Sequence, residues 1–131
     1  MSVVEQKIED EPEQTDYLTW RDQNLTDKQS EMDELKDEQK QTFTRIFELQ
    51  DQLAKESEDK TTIHSLKVRI ANLSRKIAKI AVEMESTTLE MHVLNSVESF
   101  EIFEQAIPYL NRIRNAQLEI VNSSEFLRVS N

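Results

Sequence analysis

The sequence of 131 residues contains no glycine and no cysteine, and it has only two prolines and 6% aromatic residues. Glycine supplies the backbone conformations that tight turns and many helix ends use, so its absence favours long helices over a compact fold with many turns. A chain without glycine also has no phosphate-binding loop of the P-loop or dinucleotide type. The hydrophobic content of 37% is low for a single-chain core.

The absence of cysteine excludes disulfides, thiolate metal sites and cysteine nucleophiles, and it favours an intracellular protein. No apolar run approaches the roughly 18 residues that a transmembrane helix needs. The first residues lack the basic-then-apolar order of a signal peptide. We therefore expect a soluble protein of the cytoplasm or nucleus.

No set of residues has the pattern of an active site. The two histidines, His64 and His92, lie far apart and have no further ligands at zinc-site spacing. The many serines and threonines lack the strained turn, the base and the orienting acid that activate a nucleophile. The sequence therefore predicts a protein that is not an enzyme, with no metal, no cofactor and no small-molecule substrate.

Charge is abundant and unevenly distributed. The net charge of −10 should repel nucleic acid and anionic lipid from the chain as a whole. Residues 60–82, however, hold six basic and no acidic residues. This basic band could contact an acidic helix of a partner, and the alternative is an adaptor whose residues 60–79 bind a membrane surface or nucleic acid. The band consists of Lys60, Lys67, Arg69, Arg75, Lys76 and Lys79.

The most regular feature is the stretch Ile63–Leu94, in which apolar residues recur at alternating steps of three and four. This spacing keeps them on one side of a helix, where they can be buried only against another helix, and it predicts a coiled coil. Thr87 is the only polar residue of the series. We call this series the central seam, and its predicted interface residues are Ile63, Leu66, Ile70, Leu73, Ile77, Ile80, Met84, Met91 and Leu94.

The N-terminal part begins with residues 1–14, an acidic stretch for which we expect a disordered arm. Residues 15–54 form the first helical segment, with a weaker seam spaced by seven from Leu18 to Leu53. Its first residues form an aromatic cluster that either packs on a neighbouring helix or docks a partner. Thr26 begins a four-residue match to a capping box, a pattern that is common by chance.

Residues 55–62 are polar and interrupt both seams. Two arrangements are compatible with this break. The absence of glycine and proline from residue 13 to residue 107 gives no strong turn signal and favours one continuous helix. The matched lengths of the flanking segments keep the alternative open, in which the chain turns back at residues 55–62 and the segments pack as an antiparallel hairpin.

In the C-terminal part, the single proline predicts where one helix ends and the next begins. The main coiled-coil helix would extend over residues 63–107, because Pro108 lacks a backbone donor and clashes with the preceding turn. A short helix over residues 108–122 would start with that proline, which is permitted at a first helical position. Residues 123–131 then form a tail.

These patterns predict an all-α protein of long helices that form a coiled coil or an extended helical hairpin, with a flexible acidic N-terminus. The predicted function is that of a structural subunit of an intracellular multiprotein complex. Its partners would be other helical subunits, which join it in a heteromeric coiled coil, and a homodimer is the alternative. Further partner contacts are predicted at Tyr17, Leu18, Trp20, Phe43, Phe47, Phe100, Phe103 and Ile107.

Overall fold

A computed structural model describes residues 13–56, 58–123 and 126. The predicted disordered arm lies almost wholly outside these residues, as does most of the predicted tail. The described part contains three α-helices and no strand, so the prediction of an all-α protein is confirmed. The helices are α1 (Glu13–Lys55), α2 (Lys60–Ser96) and α3 (Phe100–Asn122).

α1 and α2 pack against each other in opposite directions. Tyr17 near the start of α1 contacts Leu94 near the end of α2, and Glu38 midway along α1 pairs with Lys76. The buried residues of α1 follow one stripe at steps of three and four, as expected for a helix with one apolar face. This stripe includes Met32, Thr42, Ile46 and Leu49.

α3 packs on a second face of α2, also in the opposite direction. Arg114 of α3 pairs with Glu83 of α2, and Arg75 of α2 reaches the last turn of α3. The third helix has 23 residues against 37 for α2. At 1.5 Å per residue, about 34 Å of α3 covers little more than half of the roughly 55 Å of α2. Residues 60–74 of α2 therefore extend beyond the end of α3.

The chain turns between α1 and α2, which differs from the continuous helix that the sequence favoured. α1 ends at Lys55 and α2 begins at Lys60, without any glycine. Asp59 has an extended backbone, and its carboxylate accepts hydrogen bonds from the Thr61 amide at 3.1 Å and the Thr62 hydroxyl at 2.7 Å. These hydrogen bonds lower the pKa of Asp59, with that from the Thr62 hydroxyl contributing most. An N-cap thus starts α2 at a place where the sequence has neither glycine nor proline.

The second break lies at residues 97–99 and not at Pro108, which differs from the predicted segments 63–107 and 108–122. Ser99 starts α3 by accepting a hydrogen bond from the Ile102 amide at 3.3 Å. Pro108 lies inside α3. Both Pro108 and Glu104, whose carbonyl loses its helical donor, are exposed, so water can replace the missing hydrogen bond.

Candidate interaction surfaces

An aromatic junction joins the start of α1 to the start of α3. The ring of Trp20 lies 4.9 Å from the ring of Phe100 and 5.4 Å from that of Phe103. Tyr17 contacts Phe100 edge-on at 5.5 Å. Such contacts add specificity to the burial of large apolar surfaces. The junction therefore joins the first turns of α1 and α3 to each other.

The Tyr17 hydroxyl is part of this junction. It donates a 2.9 Å hydrogen bond to the carbonyl of Leu94. Because α2 ends at Ser96, this carbonyl lies in the last turn of the helix and has no backbone donor within it. Tyr17 and Leu94 are both fully buried. Burial raises the pKa of Tyr17, because the phenolate would lose its hydration there, and the nearby Arg21 opposes this shift.

The structure thus brings together four of the predicted partner contacts, Tyr17, Trp20, Phe100 and Phe103, inside the chain. Leu18 lies outside the junction and is 39% exposed. The weaker seam was predicted to start at Leu18, but the buried residue at this end of α1 is Tyr17, one residue earlier. Ile107, the last predicted contact, is half-buried on α3.

The central seam lies along α2, and all of its buried residues belong to one of its two sevenfold series, in which only Leu73 is half-buried. Leu66, Ile80 and Leu94 are buried, together with the polar Thr87 of the same series. Since Leu94 contacts α1, residues at multiples of seven from it share the face toward α1. The remaining seam residues are half-buried: Ile63, Ile70, Leu73, Ile77, Met84 and Met91.

Ion pairs link α2 to both neighbours. Lys28 and Glu90 are 2.7 Å apart between α1 and α2. Burial alone would lower the pKa of Lys28, but the hydrogen bonds and charges of Glu90 and, to a smaller extent, Glu31 together outweigh it and the pKa is raised. Arg114 and Glu83 are 2.7 Å apart between α2 and α3, and the hydrogen bond from Arg114 to Glu83 raises the pKa of Arg114.

The basic band divides between contacts inside the chain and exposed positions. Arg75 donates to the carbonyls of Val121 and Ser123, and Lys76 pairs with Glu38 at 3.5 Å. Lys60, Lys67, Arg69 and Lys79 are exposed. No contact among the described residues favours binding of a membrane or nucleic acid, and that alternative stays a prediction.

The exposed face of α3 carries an apolar stripe. Ile102, Tyr109, Ile113 and Ile120 are between 46% and 63% exposed. Together with Ala106 and Ala116 they recur at steps of four and three along the helix, so they lie on one side of it. We call these six residues the α3 stripe. A second series, one residue later in each turn, contains the buried Phe103, Leu110 and Val121 and packs on α2.

The sequence prediction missed most of the α3 stripe. It named Phe100, Phe103 and Ile107 as partner contacts, and all three fall, at steps of three and four, in the series of Phe103, Leu110 and Val121 that faces α2. The steps of four and three from Ile102 to Ile120 were present in the sequence. This spacing could not be recognised as a separate exposed face, because a second apolar series, shifted by one residue, lies beside it on the same helix.

Phe43 and Phe47 form a separate exposed pair on α1. Their rings are stacked with centroids 6.1 Å apart, and Phe47 is 62% exposed. The capping-box match at Thr26 lies in the middle of α1, where the hydroxyl donates to the carbonyl of Asp22 instead of capping a helix start. The pattern is therefore not used as an N-cap.

No cluster of potential metal ligands occurs among residues 13–56, 58–123 and 126. A shallow depression is lined by six polar or charged residues of α1 alone, Asp37, Lys40, Gln41, Thr44, Arg45 and Glu48. Within the same described part, no helix has an apolar stretch that could cross a bilayer. The chain matches no protein-family model, no curated protein and no solved structure.

Proposed function

We propose that the chain is a structural subunit, without enzymatic activity, of an intracellular multiprotein complex, and that it joins helical partners through the α3 stripe. The observation that carries this proposal is the exposure of four large apolar residues on one side of α3. From Ile102 to Ile120 the stripe extends over about 27 Å at 1.5 Å per residue. Contiguous exposed apolar surface of this kind is typical of protein–protein contacts.

The central seam has a different role in this proposal. We propose that α1 and α2 form an antiparallel coiled coil within the chain, in which Met32 packs near Ile80 and Ile46 near Leu66. The contacts of Tyr17 with Leu94 and of Glu38 with Lys76 support this register. A seam that α1 occupies is not free for another subunit, so the partner contact moves to α3.

The test compares a stripe variant with a matched control on the same helix. Ile113→Glu places a charge in the middle of the stripe, whereas Asn111→Glu adds the same charge at an exposed position outside it. Each tagged variant is expressed in the native source and the co-purifying proteins are identified. We expect partners of the wild type to be kept by Asn111→Glu and lost by Ile113→Glu. Equal partner sets for both variants would contradict the proposal.

A further inference from the structure

The α3 stripe has a column of charged residues along one side. Arg112 and Glu119 each directly precede a stripe isoleucine, Ile113 and Ile120, and they are seven residues apart. Both are exposed, and neither forms an ion pair within the described part of the chain. Arg112 lies over the ring of Tyr109, 5.3 Å from its centroid. Glu101, which precedes Ile102, is also exposed on this side of the helix, so the side carries one base and two acids beside the apolar surface.

We propose that the α3 stripe pairs antiparallel with the stripe of a second copy of this chain, with Arg112 of each copy facing Glu119 of the other. The proposal rests on the proposed function, since it uses the same surface, and it names the partner.

The register follows from the spacing of the stripe. When the two-fold axis passes between residues 114 and 115, Tyr109 of one copy meets Ile120 of the second copy, and Ile113 meets Ala116. Each layer occurs twice by symmetry, as in any two-fold interface. The central layers combine a large with a small side chain, which lets the helices approach closely.

Charge distinguishes this register from its neighbours. A shift that overlaps the whole stripe places Arg112 opposite Arg112 of the second copy, and a shift one heptad further pairs Arg112 with Gln105. A parallel arrangement brings Arg112 toward Gln117, on the side of α3 that packs on α2. The antiparallel register proposed here forms two opposite-charge pairs. The fully overlapping register would also cover Ile102, so the apolar layers supply the affinity in either register, and the response to charge reversal distinguishes the two.

A second copy fits better than an unrelated helix because the column is complementary to itself. A base and an acid seven residues apart on one side of a stripe satisfy each other when two copies are related by a two-fold axis. No second protein is needed to supply either charge.

The experiment measures self-association of the full chain by sedimentation equilibrium at low and high salt. We expect the wild type to shift with concentration from 15.4 kDa to twice that mass. Arg112→Glu and Glu119→Arg should each weaken self-association roughly two- to thirtyfold, because each brings like charges together at both pairs. An equimolar mixture of these two variants pairs opposite charges again and should associate at least as well as the wild type.

Glu104→Arg is the matched control, since it changes charge as Glu119→Arg does at an exposed position outside the column. Helix content measured by circular dichroism checks that each variant folds. A wild type that stays monomeric at all concentrations overturns the second copy as partner, while the co-purification test of the proposed function remains independent. Dimers that are insensitive to either charge reversal, or variants that do not recover on mixing, overturn the register.

Discussion

Arg75 of α2 donates hydrogen bonds to the main-chain carbonyls of Val121 at 2.5 Å and Ser123 at 3.2 Å, and so closes the C-terminal end of α3. The carbonyls of a last helical turn lack donors in their own helix, and a cation there also interacts favourably with the helix dipole. Glycine usually serves this purpose by adopting a left-handed conformation. In this chain, a residue 46 positions away in sequence replaces it.

Replacing Arg75 should therefore destabilise the end of α3. We expect Arg75→Gln to lower the free energy of unfolding by about 1–3 kcal/mol, the range for losing hydrogen bonds from a charged group. Lys79→Gln removes an exposed charge of the same helix and should change it by less than about 0.5 kcal/mol. Urea denaturation measures both, and amide hydrogen exchange should accelerate in residues 117–123 of Arg75→Gln only. Similar losses for the two variants would argue against capping by Arg75.

The hydroxyl of Tyr17 closes the end of α2 in a comparable way. Tyr17→Phe leaves the buried carbonyl of Leu94 without a donor, and we expect a loss of about 1–3 kcal/mol in the free energy of unfolding. Tyr109→Phe removes a hydroxyl from a residue that is 63% exposed and should be nearly neutral. Thermal and urea denaturation compare the two variants. An equally small effect at both positions would show that the Tyr17 hydrogen bond contributes little.

The raised pKa of Tyr17 predicts a dependence of stability on alkaline pH. Below a pH of about 10, the ordinary pKa of tyrosine, the side chain is protonated in both the folded and the unfolded chain. As pH rises above that value the unfolded chain loses this proton first, so the stability from neutral Tyr17 is lost progressively up to the folded-state pKa. Urea denaturation between pH 9 and pH 11, roughly spanning this window, measures the free energy of unfolding. As pH rises, this free energy should fall more steeply for the wild type than for Tyr17→Phe. Equal slopes would contradict this assignment.

The aromatic junction can be followed through its own fluorophore, because Trp20 is the only tryptophan in the chain. Phe103→Ala should cost about 3–5 kcal/mol and shift the Trp20 emission to longer wavelength as water reaches the indole ring. Phe47→Ala truncates the same residue type at an exposed position of α1, and should leave the emission unchanged. Fluorescence spectra at low temperature, where both variants are folded, make the comparison. An unchanged spectrum in Phe103→Ala would mean that α3 does not depend on this contact.

The buried part of the central seam should dominate the stability of the single chain. Ile80 is buried, and we expect Ile80→Ala to lower the free energy of unfolding by about 2–5 kcal/mol. Ile120→Ala removes the same atoms from the exposed α3 stripe, and below the concentration of any self-association its effect should stay within about 0.5 kcal/mol. Urea denaturation at low micromolar protein distinguishes them. Comparable losses would place Ile120 in the core of the single chain.

The helical class could be predicted from the sequence, because the spacing of apolar residues on α2 is a local property. The helix breaks could not. Asp59 and Ser99 cap α2 and α3, yet the equivalent pattern at Thr26 lies inside an uninterrupted helix. Short capping patterns do not decide where a helix ends when contacts with other helices do. Tyr17 contacts Leu94 close to the break at residues 97–99, and Arg75 contacts Val121 at the end of α3, and both partners are distant in sequence.

The exposed stripe illustrates a second limit of periodicity. Ile102 and Phe103 begin two apolar series that differ by one residue, which corresponds to about 100° around a helix. Both series have the spacing of an interface. Only the packing of α2 against Phe103, Leu110 and Val121 shows which series is buried inside the chain.

The short length of α3 divides the molecule into a three-helix part near Tyr17 and a two-helix part near the end of α1 and the start of α2. Local opening costs least free energy where few apolar contacts cover the backbone hydrogen bonds. Slow amide exchange should therefore be concentrated at the aromatic end, and residues 45–70 should exchange first as a unit. The molecule would then have a graded stability along its long axis, with one end held firmly and the other able to open without unfolding the rest.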